Sequence, residues 1–258
     1  MNLLRSIIMA FSVFSRIPMP TLEWKEHNLR YILAALPLIG SVIGLILWGW
    51  IELCNLLGIG TMFLSAGVTL IPVAVTGGIH LDGFADTIDA LASHAPMQRK
   101  REIIEDPHTG AFAVIYLAGY FIAYFALCTE LERVWQSALL LGLIHCLSRI
   151  LGGLSSLCLV SASSDELLET FVLASRRASV VLLIIQLGVV AAGAVLYNMT
   201  QGIVIILTAS LCFVYTAVMS KREFGGMNGD IAGHLIQLSE LCMFASAILA
   251  QKAVSLWF

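Results

Sequence analysis

The chain has 258 residues, of which 59% are hydrophobic and 12% are charged, and its formal net charge is -3. Soluble domains carry about 25% charged residues, so this composition excludes a soluble fold and predicts an all-α, polytopic helical integral membrane protein. We expect one membrane-embedded domain over residues 1–258. The longest basic run is Arg99-Lys100-Arg101, so the charge pattern does not indicate a nucleic-acid partner; this run either sets the membrane topology or holds phosphate.

The apolar segments predict where the chain crosses the lipid bilayer. A spanning helix needs about 20 mostly apolar residues. A short apolar stretch between Arg5 and Arg16 predicts an N-terminal interfacial or re-entrant helix. About seven later segments are long enough to span: 34–57, 62–79, 111–128, 134–160, 178–197, 202–219 and 235–257.

Basic residues fall in alternate connections between these segments. They lie before the first segment and between segments two and three, four and five, and six and seven. The positive-inside rule then places the N-terminus in the cytoplasm and the C-terminus outside. The long polar connections, with any active site that they build, would share the cytoplasmic side.

One short segment carries three carboxylates on a single predicted helix face. Asp82, Asp86 and Asp89 stand at i, i+4 and i+7, directly after an apolar run. Like charges at this spacing repel each other, and a membrane tolerates unpaired charge poorly. A hard divalent cation such as Mg²⁺ prefers oxygen ligands of this kind. The spacing therefore favours a Mg²⁺ site over its alternative, a solvated acidic helix start.

A single arginine, Arg149, lies deep inside the predicted span 134–160. An arginine within a membrane is costly unless it meets an anion, so Arg149 should face the protein interior. It either pairs with Asp82 or Asp86, or it clamps a phosphate of a substrate. The sequence leaves both alternatives open.

Two polar connections add further candidates. Asp106 opens a turn that ends at Gly110 and is either a plain turn or a further carboxylate of the same site. The segment Gly225-Gly226-Met227-Asn228-Gly229-Asp230 precedes the last span, where backbone N–H groups at a helix start can hold an anion. Asp230, and Glu240 further along the same helix, would add acids to this region.

These blocks together resemble a known family. The segment from Gly77 to Asp89, GGIHLDGFADTID, closely resembles the signature of cobalamin synthases, the adenosylcobinamide-GDP ribazoletransferases. Other blocks of that family are matched in order by Phe14 to Pro20, Glu102 to Gly110, Ser148-Arg149, and Gly225 to Asp230 followed by Glu240. The one local departure is Pro107-His108, and no role is transferred to these two residues.

The resemblance implies a Mg²⁺-dependent transferase. It would catalyse the last step of vitamin B12 synthesis, in which the nucleotide loop is assembled. The phospho-cobinamide group of adenosylcobinamide-GDP would pass to a ribose hydroxyl of alpha-ribazole or alpha-ribazole 5'-phosphate, with release of GMP. Transferred residue by residue, the resemblance implies catalytic roles for Asp82, Asp86, Asp89 and Arg149, metal ligation by Asp82, Asp86, Asp89 and Asp230, and substrate binding by Arg16, Asp106, Gly225, Gly226, Asn228, Gly229, Asp230 and Glu240.

Two alternatives remain at this point. One is a related Mg²⁺-dependent membrane transferase that acts on a lipid or a polyol. The other is a cation transporter that uses the acids as its pathway, although a transporter would place acids near the middle of its spans. The sequence leaves the oligomeric state open, a homo-oligomer included, together with the number of Mg²⁺ ions and the identity of the general base.

Overall fold

The computed structural model describes residues 2–162 and 166–257, and the regular secondary structure of these residues is helical apart from one isolated bridge, between Ser161 and Met227. The helices of the described chain follow one another as α1 (Asn2–Phe14), α2 (Glu26–Leu29), α3 (Leu36–Leu56), α4 (Thr61–Thr76), α5 (Ile79–Ala92), α6 (Met97–Ile104), α7 (Ala111–Thr129), α8 (Trp135–Cys158), α9 (Glu166–Tyr197), α10 (Met199–Met219) and α11 (Gly229–Trp257). A 3-10 turn, Leu33–Ala35, leads into α3, and a π-helical turn, Ser220–Phe224, follows α10. The predicted all-α membrane architecture is confirmed.

Six helices of the described chain are long and apolar enough to cross a membrane, or seven if α4 and α5 together form one bent span. The predicted span 62–79 ends early, at Thr76. Gly77 and Gly78 follow it with φ of 67° and 80°, in the left-handed region that glycine enters without strain. The chain bends there by 94° into α5, which places the acidic stripe on a separate helix.

The N-terminal helix α1 has 13 residues, too few to cross a bilayer. Its Met9, Ala10 and Phe11 are buried against the rest of the protein. The helix itself is therefore confirmed, and its position at the membrane interface stays a prediction.

Two glycines allow α3 and α8 to pack closely. A Cβ at Gly40 would lie 2.6 Å from the carbonyl oxygen of His145, and one at Gly44 would lie 2.7 Å from Cα of Gly142. Small residues spaced by four let the backbones of membrane helices approach in this way. Together with α11, α8 forms the buried centre of the bundle, whereas α7, α9 and α10 expose most of their apolar faces.

Candidate active site

The predicted stripe lies on α5 with its carboxylates toward one side. Asp82 is exposed, and Asp86 and Asp89 are partly buried. Phe84 and Ile88, on another face of the same helix, are buried. The helix is therefore amphipathic, as the spacing predicted. Its apolar face packs inside the protein, and its other face carries the acids.

A close approach between α5 and α11 brings the stripe together with Asp230. A Cβ at Gly83 would lie 2.7 Å from both Cα and the carbonyl oxygen of Asp230, so only glycine permits this contact. The carboxylates of Asp82, Asp230 and Asp89 lie close enough to Asp86 to repel its negative charge. The structure thus joins the stripe and the start of α11 into a single acidic cluster of four aspartates.

The chemistry of this cluster fits Mg²⁺ in one particular manner. In the described chain, no group of three or more His, Cys, Asp or Glu side chains is arranged so that it could hold a metal ion by itself. Mg²⁺ commonly uses one or two carboxylates and completes its shell with waters and substrate phosphates. Four clustered carboxylates with open positions match that pattern better than they match a closed structural metal site.

Asp89 also has a structural contact. Its Oδ1 accepts a hydrogen bond of 3.3 Å from the backbone N–H of Ala113, in the first turn of α7. Gly110 leaves the room for this contact, because a Cβ there would lie 2.0 Å from Oδ2 of Asp89. Asp89 therefore fixes the start of α7 in addition to contributing charge to the cluster.

The turn at Asp106 is present as predicted. Oδ1 of the exposed Asp106 accepts a 2.9 Å hydrogen bond from the backbone N–H of His108 and lies 2.7 Å from Nδ1 of that ring. These hydrogen bonds from the His108 backbone and ring lower the pKa of Asp106. The carboxylate stabilises its own turn, and contact with a substrate stays a prediction.

Arg16 lies at the bend between α4 and α5. Its backbone N–H donates to the carbonyl of Val75 over 2.7 Å, and its side chain runs over Gly77, within 2.5 Å of where a Cβ would stand. The side chain is exposed. The segment after α1 therefore covers the bend that leads into the acidic helix, next to the predicted site.

The glycine-rich loop is tied to the chain that follows α8. The N–H of Met227 donates to the carbonyl of Val160 over 2.7 Å, and the N–H of Ala162 donates to the carbonyl of Met227 over 2.8 Å. A Cβ at Gly226 would lie 2.5 Å from the backbone nitrogen of Ala162. Close backbone packing is thus a sufficient reason for glycine at 226, and its role in substrate binding stays a prediction.

Asn228 organises the start of α11. Its Oδ1 accepts a 2.8 Å hydrogen bond from the N–H of Ile231, as a helix-capping side chain does. Its Nδ2 donates to Oδ2 of Asp230 over 3.3 Å. Asn228 therefore orients an acid of the cluster, an arrangement that the sequence did not predict.

A further contact that the sequence did not predict joins α6 to the π-helical turn. Nζ of the buried Lys100 lies 2.5 Å from a carboxylate oxygen of Glu223. Nε of Arg101 donates to the carbonyl of Phe224 over 2.6 Å. Part of the basic run therefore holds the segment that leads into the glycine-rich loop, and no local pattern indicates this pairing because 123 positions separate the partners.

Arg149 is 1% exposed and forms an ion pair with Glu240 of α11. Its Nη1 also donates to Oγ of Ser148 at 3.0 Å and to the carbonyl of His145 at 2.9 Å. The expectation that Arg149 meets an anion inside the protein is confirmed. Of the two alternatives that the sequence left open, pairing with Asp82 or Asp86 is wrong, because α8 packs against α11 and Arg149 meets Glu240 there.

Glu240 is buried among polar side chains of α8, and its role in substrate binding stays a prediction. Its Oε1 accepts from Oγ of Ser148 at 2.8 Å and lies 3.1 Å from Nδ1 of His145. The cavity beside Arg149 and Glu240 has a volume of about 10 Å³, which is room for one water at most. The geometry therefore favours a structural ion pair over a phosphate clamp at Arg149.

Fold and site define a polytopic helical membrane protein with an acidic site at one end of its bundle. The model of the cobalamin-5-phosphate synthase family matches residues 6–248 of the chain. The chain therefore belongs to the cobalamin-5-phosphate synthase family.

Curated relatives agree with this membership. The chain is 35% identical over 255 residues to the adenosylcobinamide-GDP ribazoletransferase of Lachnoclostridium phytofermentans, which covers 98% of this chain and 97% of the relative. It is 30% identical to the enzymes of the same name from Clostridium botulinum, over 96% of this chain and 98% of the relative, and from Listeria monocytogenes, over 95% and 98%. No solved structure matches the chain.

Proposed function

We propose that the protein is an adenosylcobinamide-GDP ribazoletransferase that acts with Mg²⁺. It transfers the phospho-cobinamide group of adenosylcobinamide-GDP to a ribose hydroxyl of alpha-ribazole or alpha-ribazole 5'-phosphate. The products are adenosylcobalamin, or its 5'-phosphate, and GMP. The observation that carries the proposal is the cluster of Asp82, Asp86, Asp89 and Asp230, formed where α5 and α11 meet.

The reaction needs charge neutralisation and alignment more than covalent help from the protein. The ribose oxygen forms a bond to the phosphorus that carries cobinamide, and the bond from that phosphorus to the bridging oxygen of GMP breaks. The electron pair of the broken bond leaves with GMP. A carboxylate of the cluster that is not committed to metal takes the proton of the attacking hydroxyl.

The acids divide into two groups by their other contacts. One or two of Asp82, Asp86 and Asp230 would hold Mg²⁺, which when bound supplies charge neutralisation on the diphosphate, and another of these three would take the proton of the attacking hydroxyl. Asp89 is engaged with the N–H of Ala113, so we assign to it the positioning of α7 beside the cluster. Arg16, at the bend into α5, is exposed and available to an anionic substrate.

The activity is tested with purified protein in liposomes. Adenosylcobinamide-GDP and alpha-ribazole should give GMP and a cobalamin product in equal amounts, and both should stop when a chelator removes Mg²⁺. Omission of the riboside should abolish GMP release. Ion flux through the liposomes without any nucleotide, and no GMP release with both substrates, would support the transporter alternative instead.

We also propose that the site faces the cytoplasm of a cell inner membrane, where soluble nucleotides are available. Contacts of α6 with both α5 and the π-helical turn support this proposal, because they bring the charged segments close to one another. Reporters fused after Lys100 and Lys221 should therefore both report the cytoplasm, and one after Asn198 the periplasm. If the fusions after Lys100 and Lys221 report opposite sides of the membrane, the proposed topology is wrong. A single active site built from α5 and the start of α11 would then be excluded as well.

A further inference from the structure

A large apolar groove lies between α7 and α10, and its lining residues include none of the four aspartates of the acidic cluster. Its volume is about 1230 Å³, and it is floored by α5 and α11. Phe84 and Ile88 contribute the floor from the apolar face of α5, and Ile115 and Leu211 contribute opposite walls. The helix that carries the catalytic acids thus has one face in the site and another in this groove.

The groove has a polar end. A second cavity of about 520 Å³ adjoins it and shares Leu91, His94 and Tyr215 with its lining. Lys100, Arg222 and Glu223 line this second cavity. The combined space is therefore apolar along the bundle and charged where α10 ends.

The charged end carries a net positive charge. Glu223 is already met by the buried Lys100 at 2.5 Å. Arg222 lies 3.5 Å from the same carboxylate group, and its side chain is 81% exposed. Two cations against one anion leave a surplus of one positive charge at the opening, before His94 is considered.

We propose that this groove binds an anionic phospholipid, with its acyl chains between α7 and α10 and its phosphate at Arg222. Apolar space between spans with a basic rim at the membrane boundary is the arrangement that selects anionic headgroups. The occupant would pack against α5 from behind and so hold the acidic helix in place. This proposal does not depend on the identity of the substrates.

Gly119 supplies a position from which a larger side chain would enter the groove. This glycine of α7 lines the groove, and a Cβ there would meet no atom within 4 Å. Gly188 of α9 is likewise exposed, with nothing within 4 Å of a Cβ. Gly119→Leu should therefore block the acyl chains, and Gly188→Leu is the matched control.

Arg222 and its neighbour test the headgroup. Arg222→Gln removes the charge that lines the cavity, whereas Lys221→Gln removes one positive charge from an exposed neighbour that does not line it. One basic residue near the headgroup corresponds to about fivefold in affinity. We expect Arg222→Gln to lose about fivefold in affinity for phosphatidylglycerol and Lys221→Gln to lose much less.

The measurement is native mass spectrometry of the full chain, titrated with phosphatidylglycerol or phosphatidylcholine. The wild type and Gly188→Leu should retain one tightly bound phosphatidylglycerol, and Gly119→Leu should lose it. Equal retention of both lipids by the wild type, or unchanged retention by Gly119→Leu, overturns the proposal. A dimer that is lost in Gly119→Leu, without bound lipid in the wild type, would assign the groove to a second copy and also overturn it.

Discussion

The molecule contains two groups of polar side chains in its helical bundle, and they are opposites in charge balance. The cluster of Asp82, Asp86, Asp89 and Asp230 gathers four like charges at the end of the bundle. The pair of Arg149 and Glu240 is matched within itself, with both side chains almost fully buried. The pair is neutral as a unit, whereas the four like charges repel one another and favour the binding of a cation or of protons. The first is therefore suited to binding and the second to holding helices together.

Breaking the matched pair should have the largest effect on the protein. Removing one partner leaves an uncompensated buried charge, which costs about 3–5 kcal/mol. We expect Arg149→Met or Glu240→Leu alone to reduce the amount of folded protein in the membrane severely, as measured by fluorescence-detected gel filtration in detergent.

The double variant Arg149→Met/Glu240→Leu distinguishes structure from catalysis. It removes both charges and keeps apolar volume, so folded protein should recover relative to either single variant. Recovered protein with substantial transfer activity would confirm the structural role. Normal protein levels in Arg149→Met, with turnover abolished, would instead restore the phosphate clamp.

Removing one charge from the acidic cluster should lower activity and leave the amount of folded protein unchanged, the opposite of breaking the buried pair. Asp86→Asn changes volume little and relieves repulsion from its neighbours, so the thermal midpoint should stay equal or rise. Turnover should fall about 100-fold, because a metal site loses a ligand. Glu52→Gln is the control, since Glu52 is an exposed acid of α3 outside the site. Full turnover of Asp86→Asn at saturating Mg²⁺ would remove the metal assignment.

The two groups also differ in how far local sequence pattern predicts them. The spacing of Asp82, Asp86 and Asp89 fixes their common face, since helix periodicity is a local property. The sequence also indicated that Arg149 must meet an anion. It could not identify Glu240, because the partner depends on which helix α8 faces, and 91 positions separate the two residues. Local sequence pattern thus predicts which kind of partner a side chain requires, and the packing of the helices determines which residue is that partner.

The glycine-rich loop shows the same limit. Its glycines suggested an anion cradle, and the structure adds a packing role for Gly226 against the chain after α8. Asn228 caps α11 and orients Asp230. To predict these roles, one must know at which residue the helix begins. Both roles depend on tertiary contacts or helix boundaries, the features that sequence reasoning resolves least well.

A smaller effect should follow from separating α5 and α11 without touching a charge. Gly83→Ala places a Cβ against the backbone of Asp230, which cannot rotate away, so the helices must move apart. Displacements of this kind weaken catalysis through misalignment. We expect turnover to fall about 10-fold, with a stability loss of about 1–3 kcal/mol. Gly49→Ala in α3, where a Cβ meets no atom within 4 Å, should leave both turnover and thermal midpoint unchanged.

The smallest effect is expected at Asp106, an exposed acid outside both groups. Its hydrogen bonds with His108 lower its pKa, so the folded state stabilises the ionised form. The sign follows from that direction: this contribution is present above the unfolded-state pKa and is lost as the pH falls through the folded-state pKa. Asp106 is thus ionised throughout the range of about pH 5–8 in which stability is commonly maximal.

Asp106→Asn should therefore leave the shape of the pH profile of kcat/KM unchanged in that range. Asparagine also forms turns of this type, so the backbone at Asp106–Gly110 should keep its conformation. Turnover and KM should stay within about twofold if the carboxylate serves only its turn, since an exposed charge pair contributes little. A rise in KM for adenosylcobinamide-GDP of 10-fold or more, with kcat unchanged, would show that Asp106 contacts the substrate. The substrate-binding region would then extend beyond α5 and α11 to the turn before α7. Asp106 would be a binding carboxylate outside the four-aspartate cluster, distinct from the structural pair of Arg149 and Glu240.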